Sequence, residues 1–172
     1  DGFDFSSLRI LASTGEPWTD EAWLWLLERV GGGTVPILNY CGGTECYGGI
    51  VSGTLLAPMK PGSFAGSMPG AGARVVDGDG NPSAVGELGE LVMTTPSIGN
   101  TRGLWRDDER YMESYWEMYG NMWRQGDWAM IDEDGFWYVF GRSDDTINVA
   151  GKRTGPAEIE SLVLATNRVS DA

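Results

Sequence analysis

The chain has 172 residues, 41% of them hydrophobic and 22% charged, with 25 acidic side chains against 12 basic ones and a formal net charge of −13. That is the composition of one ordinary globular domain, or of a piece of a larger one, and not of a disordered tail. The negative balance argues against a surface for nucleic acid or anionic lipid, no apolar run approaches the about 20 residues of a membrane span, and no leader peptide is visible.

Leu8 to Ala12 reads as a buried strand, closed by the polar turn Ser13-Thr14-Gly15-Glu16-Pro17. Thr19 is an N-cap for a helix running to about Val30, with Trp23, Leu26, Leu27 and Val30 on one apolar face. Gly31 is expected to end that helix in the left-handed conformation. Gly31-Gly32-Gly33 lacks the Lys-Ser/Thr of a phosphate loop and reads as a helix end or connector. Val35 to Tyr40 is a second short strand, entering the turn Cys41-Gly42-Gly43-Thr44-Glu45. Strand, helix and strand make an α/β unit, and ligands bind at the carboxyl ends of strands in open α/β sheets.

From Pro58 to Pro96 glycine and proline are frequent, and the stretch reads as a small β-subdomain. Its strands Ala73 to Val76 and Glu90 to Thr95 flank Asp77-Gly78-Asp79-Gly80. That turn resembles the start of a calcium loop, but Pro82 stands where an EF-hand needs Gly and Leu88 where it needs a bidentate Glu. Asp107 to Tyr119 reads as a helix bearing Tyr111, Tyr115, Trp116 and Tyr119. Asp127 to Ile131 and Phe136 to Phe140 form a hairpin around Asp132-Glu133-Asp134-Gly135, and Pro156 opens a final helix through about Ala165.

The two cysteines, Cys41 and Cys46, are too few for a disulfide framework. With no histidine in the chain they do not suggest a structural zinc site either. They read as reduced thiols of a cytoplasmic protein. The missing histidine excludes a Ser-His-Asp triad and a His-based metallohydrolase within this chain. In the Tyr40 to Glu45 turn, glycines let backbone approach a ligand, while Thr44 and Glu45 suit a phosphate and its Mg²⁺; the same residues would also make a plain turn. Asp127, Arg142 and Arg153 lie in one glycine-punctuated run from Trp123 to Ser161. An Asp accepts both hydroxyls of a ribose, and Arg presents a planar donor fork to phosphate oxygens. Singly each would serve as a surface ion pair; together they point to a nucleotide.

Ser13 to Pro17, Asn39 to Glu45, Gly126-Asp127 and Gly141 to Arg153 occur in an order and spacing that resemble the AMP-forming acyl-CoA synthetases, an adenylate-forming family, and within it the acetyl-CoA synthetase-like members. The resemblance covers essentially the whole chain. It implies a two-step reaction: a carboxylate attacks the α-phosphate of ATP to give acyl-AMP and pyrophosphate, and the thiol of coenzyme A then displaces AMP. Carried over, Gly15, Glu16 and Pro17 line the adenine and ribose pocket, and Asn39 and Tyr40 lie at the strand end beside adenine. Thr44 contacts phosphate, Glu45 helps hold Mg²⁺, Asp127 grips the ribose, and Arg142 and Arg153 contact the nucleotide. Gly151 lies beside the pantetheine tunnel. Asp144 is the hinge about which a small C-terminal domain rotates.

The fold class implied is α/β, in the mixed α+β sense. Residues 1–143 would be the C-terminal part of the large AMP-binding domain: the end of an α/β sheet subdomain and a small distorted β-barrel subdomain. Residues 144–172 would be the hinge and the start of a small α+β C-terminal domain. Cys41-Gly42 stands where acetyl-CoA synthetases have a Trp-Trp pair; the second Trp closes the acyl pocket, so Gly42 implies a short- or medium-chain acid beyond acetate. In the family the phosphate loop precedes such a segment and the adenylation lysine follows it, so activity is expected of a longer protein and not of this chain alone. An adenylating enzyme with another acceptor, or a non-catalytic nucleotide-binding fragment, are the other readings.

Overall fold

In a computed structural model of the chain, the described residues are 2–144, 147–149, 152–154, 159, 162–164, 166, 168 and 169. The expected strand, helix and strand are present as β1 (Leu11–Ser13), α1 (Asp20–Arg29) and β2 (Ile37–Cys41), but β1 is half-exposed rather than buried because it is the edge strand of its sheet. The two strands run parallel, with Leu11 opposite Ile37 and Ser13 opposite Asn39. β1 begins at Leu11 rather than Leu8 because the Leu8 amide turns back to the Phe5 carbonyl, at 3.0 Å. β2 begins at Ile37 rather than Val35 because the Val35 amide bonds the Gly31 carbonyl, at 2.9 Å, and Pro36 has no N–H. Thr19 caps α1 by accepting from the Ala22 amide, at 3.3 Å. The apolar face is the expected one, with Trp23 buried and Leu26, Leu27 and Val30 half-buried.

The helix end corrects one expectation. The positive φ falls on Gly32 (57°) and Gly33 (75°), not on Gly31. Gly31 is needed for space instead: a Cβ there would lie 2.8 Å from the Leu27 carbonyl oxygen and 3.2 Å from that of Val35.

Two short strands, β3 (Val51–Ser52) and β4 (Gly66–Ser67), extend the first sheet antiparallel in the order β1-β2-β3-β4. The second sheet is an antiparallel meander of β5 (Ala73–Val76), β6 (Gly89–Met93), β7 (Trp123–Ile131) and β8 (Trp137–Arg142). Asp77 binds the amides of Asp79 and Asn81 through Oδ1, both at 2.9 Å, so the calcium-like motif is a self-capped turn. A core of Ile50, Val51, Phe64, Leu91, Met93 and Trp123 joins the sheets. Phe64 and Trp137 exchange two backbone hydrogen bonds, at 2.8 and 3.0 Å. Lys60 bonds Asp132 and Asp134 of the β7–β8 turn, each at 2.6 Å.

α2 (Asp108–Tyr115) packs on β7 and is capped by Asp107, whose Oδ1 accepts from the Arg110 amide at 3.2 Å. It stops short of Tyr119. Trp116 leaves the helical region, with φ −126°, and its ring packs edge-on against Trp123, at 5.7 Å. Tyr115 stacks on the same indole at 4.3 Å.

Past β8, β9 (Ile147–Val149) and β10 (Lys152–Thr154) pair antiparallel, with Arg153 opposite Asn148. Ile159 and Leu162 to Leu164 are helical, in the span expected of the last helix; its start at Pro156 lies outside the described residues, as does Gly151. Among the described residues no helix is long and apolar enough to cross a membrane.

Candidate functional site

Strand alternation places Trp123, Gln125 and Asp127 on one buried face of β7. Asp127 pairs with Arg142 of β8 at a register shift before Ala129. A bulge of this kind re-aims side chains. Arg142 reaches back over β7: Nη1 lies 3.7 Å from Asp127 Oδ1 and donates to the Gln125 carbonyl at 3.1 Å. Its Nε and Nη2 hold Asp144 in a fork, at 2.8 and 2.6 Å. Gly126, with φ +85°, makes this crossing possible, since a Cβ there would lie 2.7 Å from Arg142 Nη2. Burial pushes the Asp127 carboxyl up to about 6, against the opposing pull of Arg142. The hydrogen bond to Arg142 instead holds Asp144 below its ordinary value.

The turn after β2 forms the facing wall. Cys41 Sγ lies 3.9 Å from Asp127 Oδ2. Burial, then the Asp127 charge, pushes this thiol up to about 12, so it is a neutral group and no nucleophile at ordinary pH. Glu45 curls back over Gly43, where a Cβ would overlap its carboxylate. Gln125 Nε2 donates to Glu45 Oε1 at 2.6 Å. Gln125 Oε1 accepts from Trp123 Nε1, at 3.1 Å, and from Cys46 Sγ, at 3.3 Å. Thr44 is exposed beside this carboxylate.

Asn39 is buried and donates through Nδ2 to the Gly62 carbonyl at 3.2 Å, so its side chain braces the strand end. The Tyr40 ring lies across Gly49 and its hydroxyl reaches Gly42, 3.2 Å from where a Cβ would stand. The Gly49 Cα lies closer still, 2.8 Å from that Cβ position, so the space beside Gly42 is taken by backbone and by the Tyr40 phenol. Ser13, Thr14, Asn39, Tyr40, Ser52 and Met68 line a cavity of about 420 Å³ at the ends of β1 and β2. Gly15, with φ +110°, Glu16 and Pro17 are exposed on the turn leaving β1. Trp18 Nε1 donates to Ser13 Oγ at 2.9 Å and ties that turn down.

The structure therefore brings Cys41, Gly42, Glu45, Asp127 and Arg142 together from two sheets, with the turn at Gly15 on the same strand ends. Among the described residues no group of three Cys, Asp or Glu side chains could hold a metal by itself. Glu45 supplies a single carboxylate, the kind of donor Mg²⁺ takes one or two of while keeping its waters.

Sequence reasoning missed Gln125, although the period-2 alternation of β7 points to it. It also missed a triad behind the site, the buried Glu90 with the half-buried Arg124 and Ser143. Glu90, 2% exposed, lies 3.2 Å from Arg124 Nε, too poorly aligned for a hydrogen bond. Ser143 Oγ donates to Glu90 Oε1 at 2.8 Å and accepts from Arg124 Nη2 at 3.0 Å. No local pattern marks these three, since they meet only through strand pairing.

The sequence pattern described as AMP-binding enzyme matches residues 1–105. The chain is 43% identical over 171 residues to the acetyl-coenzyme A synthetase of Rubrobacter xylanophilus, and 39% identical over 174 residues to that of Methanothrix thermoacetophila. These matches cover 98% and 99% of the chain but 26% of either relative, so it spans about a quarter of their length. Among solved structures, the acetoacetyl-CoA synthetase of Streptomyces lividans superposes with a TM-score of 0.83 at 29% identity, over 96% of this chain and 26% of that one. An anthranilate CoA ligase in complex with anthranoyl-AMP gives 0.78 at 28% identity, over 98% and 31%.

Proposed function

The chain belongs to the AMP-binding enzyme family, and we propose that it is one segment of an acid–CoA ligase that makes an acyl-adenylate from ATP and a short- or medium-chain carboxylate and passes the acyl group to coenzyme A. The observation that carries this is the meeting of Asp127 and Arg142 with the Cys41 to Glu45 turn across two sheets. An ionised Asp127 accepts the two ribose hydroxyls, and Arg142, held in place by Asp144, brings its positive charge to the nucleotide. Thr44 donates to a phosphate oxygen, and Glu45 serves the Mg²⁺ that neutralises phosphate charge when bound. The turn from Gly15 to Pro17 and the strand end at Asn39 and Tyr40 flank the adenine and ribose.

In the first step the acid oxygen bonds to the α-phosphorus as the bond to pyrophosphate breaks. In the second the thiol sulfur bonds to the acyl carbon, AMP leaves, and the thiol proton is lost. On this reading residues 1–143 end the large domain, with β1–β4 in its α/β subdomain and β5–β8 in a small distorted barrel. Asp144 is the pivot, and Gly151 and Arg153 work from the small domain on the tunnel and the nucleotide. Gly42 lacks the indole that closes an acetate pocket, which favours a longer acid, while the Gly49 backbone and the Tyr40 phenol limit the room this gives. Two unpaired thiols accord with a cytoplasmic protein.

The test is acid-dependent exchange of pyrophosphate into ATP by the full-length protein, followed by AMP release on adding coenzyme A. Exchange with propionate or butyrate and coenzyme A-dependent turnover are expected, with no exchange by the 172-residue chain alone. Exchange without coenzyme A dependence would move the acceptor to another thiol or amine. No exchange with any acid would end the reading.

A further inference from the structure

We infer that Glu90, Arg124 and Ser143 form a latch that fixes where the pivot begins, making Glu90 and Ser143 positioning residues for the domain rotation. The inference rests on the proposed function, which supplies the pivot at Asp144. Glu90 is the only charged residue in β6, between Gly89 and the buried run Leu91, Val92 and Met93. A buried ion pair is a poor source of stability, since apolar residues of the same size do as well. Its geometry is directed elsewhere. The carboxylate and the guanidinium both engage Ser143 Oγ, at 2.8 and 3.0 Å, while the Ser143 amide donates to the Gly126 carbonyl at 2.8 Å. Three polar contacts thus hold the last residue before Asp144, two to β7, the strand that carries Asp127, and one to the neighbouring β6. Asp144 itself is exposed, and the Arg142 fork holds its carboxylate.

A hinge works about a defined axis only if one end is fixed. Without the latch the free segment starts earlier and sweeps a larger volume, so the small domain reaches each working position less often. The nucleotide contacts at Asp127 and Glu45 do not pass through Ser143.

Glu90→Ala and Ser143→Ala in the full-length protein separate the two roles. AMP affinity should stay within about twofold of the parent while acid- and coenzyme A-dependent turnover falls at least about fivefold, and Glu90→Gln, which keeps an oxygen for Ser143, should recover much of the loss. Amide hydrogen exchange should quicken by about tenfold or more over residues 141–144 and stay unchanged along β5 to β7. Equal losses in AMP affinity and turnover, or unchanged turnover in both alanine variants, would overturn the latch. A parent protein that activates no acid would instead sink the proposed function. The exchange measurement would then decide the latch by itself, with protection of 141–144 unchanged counting against it.

Discussion

Asp127 shows at the scale of one residue how binding and stability pull apart. Its carboxyl is buried and titrates at about 6, against an ordinary value of 3.8. A folded-state value above the unfolded one means the folded chain is favoured when the group is protonated, and that advantage is lost as pH rises through 6. Asp127→Asn should therefore stabilise the chain by about 2–3 kcal/mol at pH 8, with the gain shrinking below about 1 kcal/mol near pH 4. Urea unfolding at the two pH values measures it, and a gain independent of pH would show that Asp127 is already ionised at little cost. Two ribose hydroxyls are accepted in full only by the ionised form, since a protonated carboxyl or an amide keeps one good accepting oxygen, so AMP affinity of the full-length protein should fall as pH drops through 6 and be weaker in the Asn variant.

At the scale of the element, β7 carries the site because one glycine lets an arginine cross it. Gly126→Ala would place an L side chain at φ +85° and push its Cβ onto Arg142 Nη2. The backbone strain costs about 1–2 kcal/mol, and the guanidinium, being the far end of a flexible chain, swings away from Asp127. A lower urea midpoint together with weaker AMP binding is the expected result; a variant that loses stability and keeps AMP affinity would show that Arg142 is not needed at that place. The same element shows what a sequence makes legible. The apolar face of α1, its Thr19 cap, the strand Ala73 to Val76 and the turn at Gly135 follow from periodicity and local chemistry, and the structure has them. β3, β4, β9 and β10 have two or three residues each, too short to show alternation. Gly31 was misjudged because close backbone approach and left-handed geometry both call for glycine. Asp127 and Arg142 stand in recognisable dipeptides, whereas Glu90, Arg124, Gln125 and Ser143 meet only after register is set, and a bulge shifts that register.

At the scale of the molecule, the site exists only while the two sheets are docked, and Gln125 makes the polar side-chain contacts that join them at the site. Its amide bonds Glu45 from the first sheet's turn, while its oxygen takes Cys46 of that turn and Trp123 of its own strand. Gln125→Ala leaves a carboxylate oxygen, an indole N–H and a thiol without these partners, at a cost of about 2–3 kcal/mol. Gln125→Glu is the sharper experiment, because it keeps the shape and the acceptor and changes only the charge. It sets a second carboxylate against Glu45, at a contact now 2.6 Å long. Two carboxylates that close hold one proton between them, so the pair titrates well above the ordinary Glu value in the folded state and not in the unfolded one. Stability conferred by that proton is present at low pH and lost as pH rises through the raised value. The variant should thus unfold near the parent's midpoint at pH 5 and well below it at pH 8. Tryptophan fluorescence should follow the change, since Trp123 lies at the junction. If the variant matches the parent at both pH values, Glu45 and Gln125 do not touch in solution, and the two sheets are held by their apolar core, the Phe64–Trp137 backbone pair and the Lys60 ion pairs.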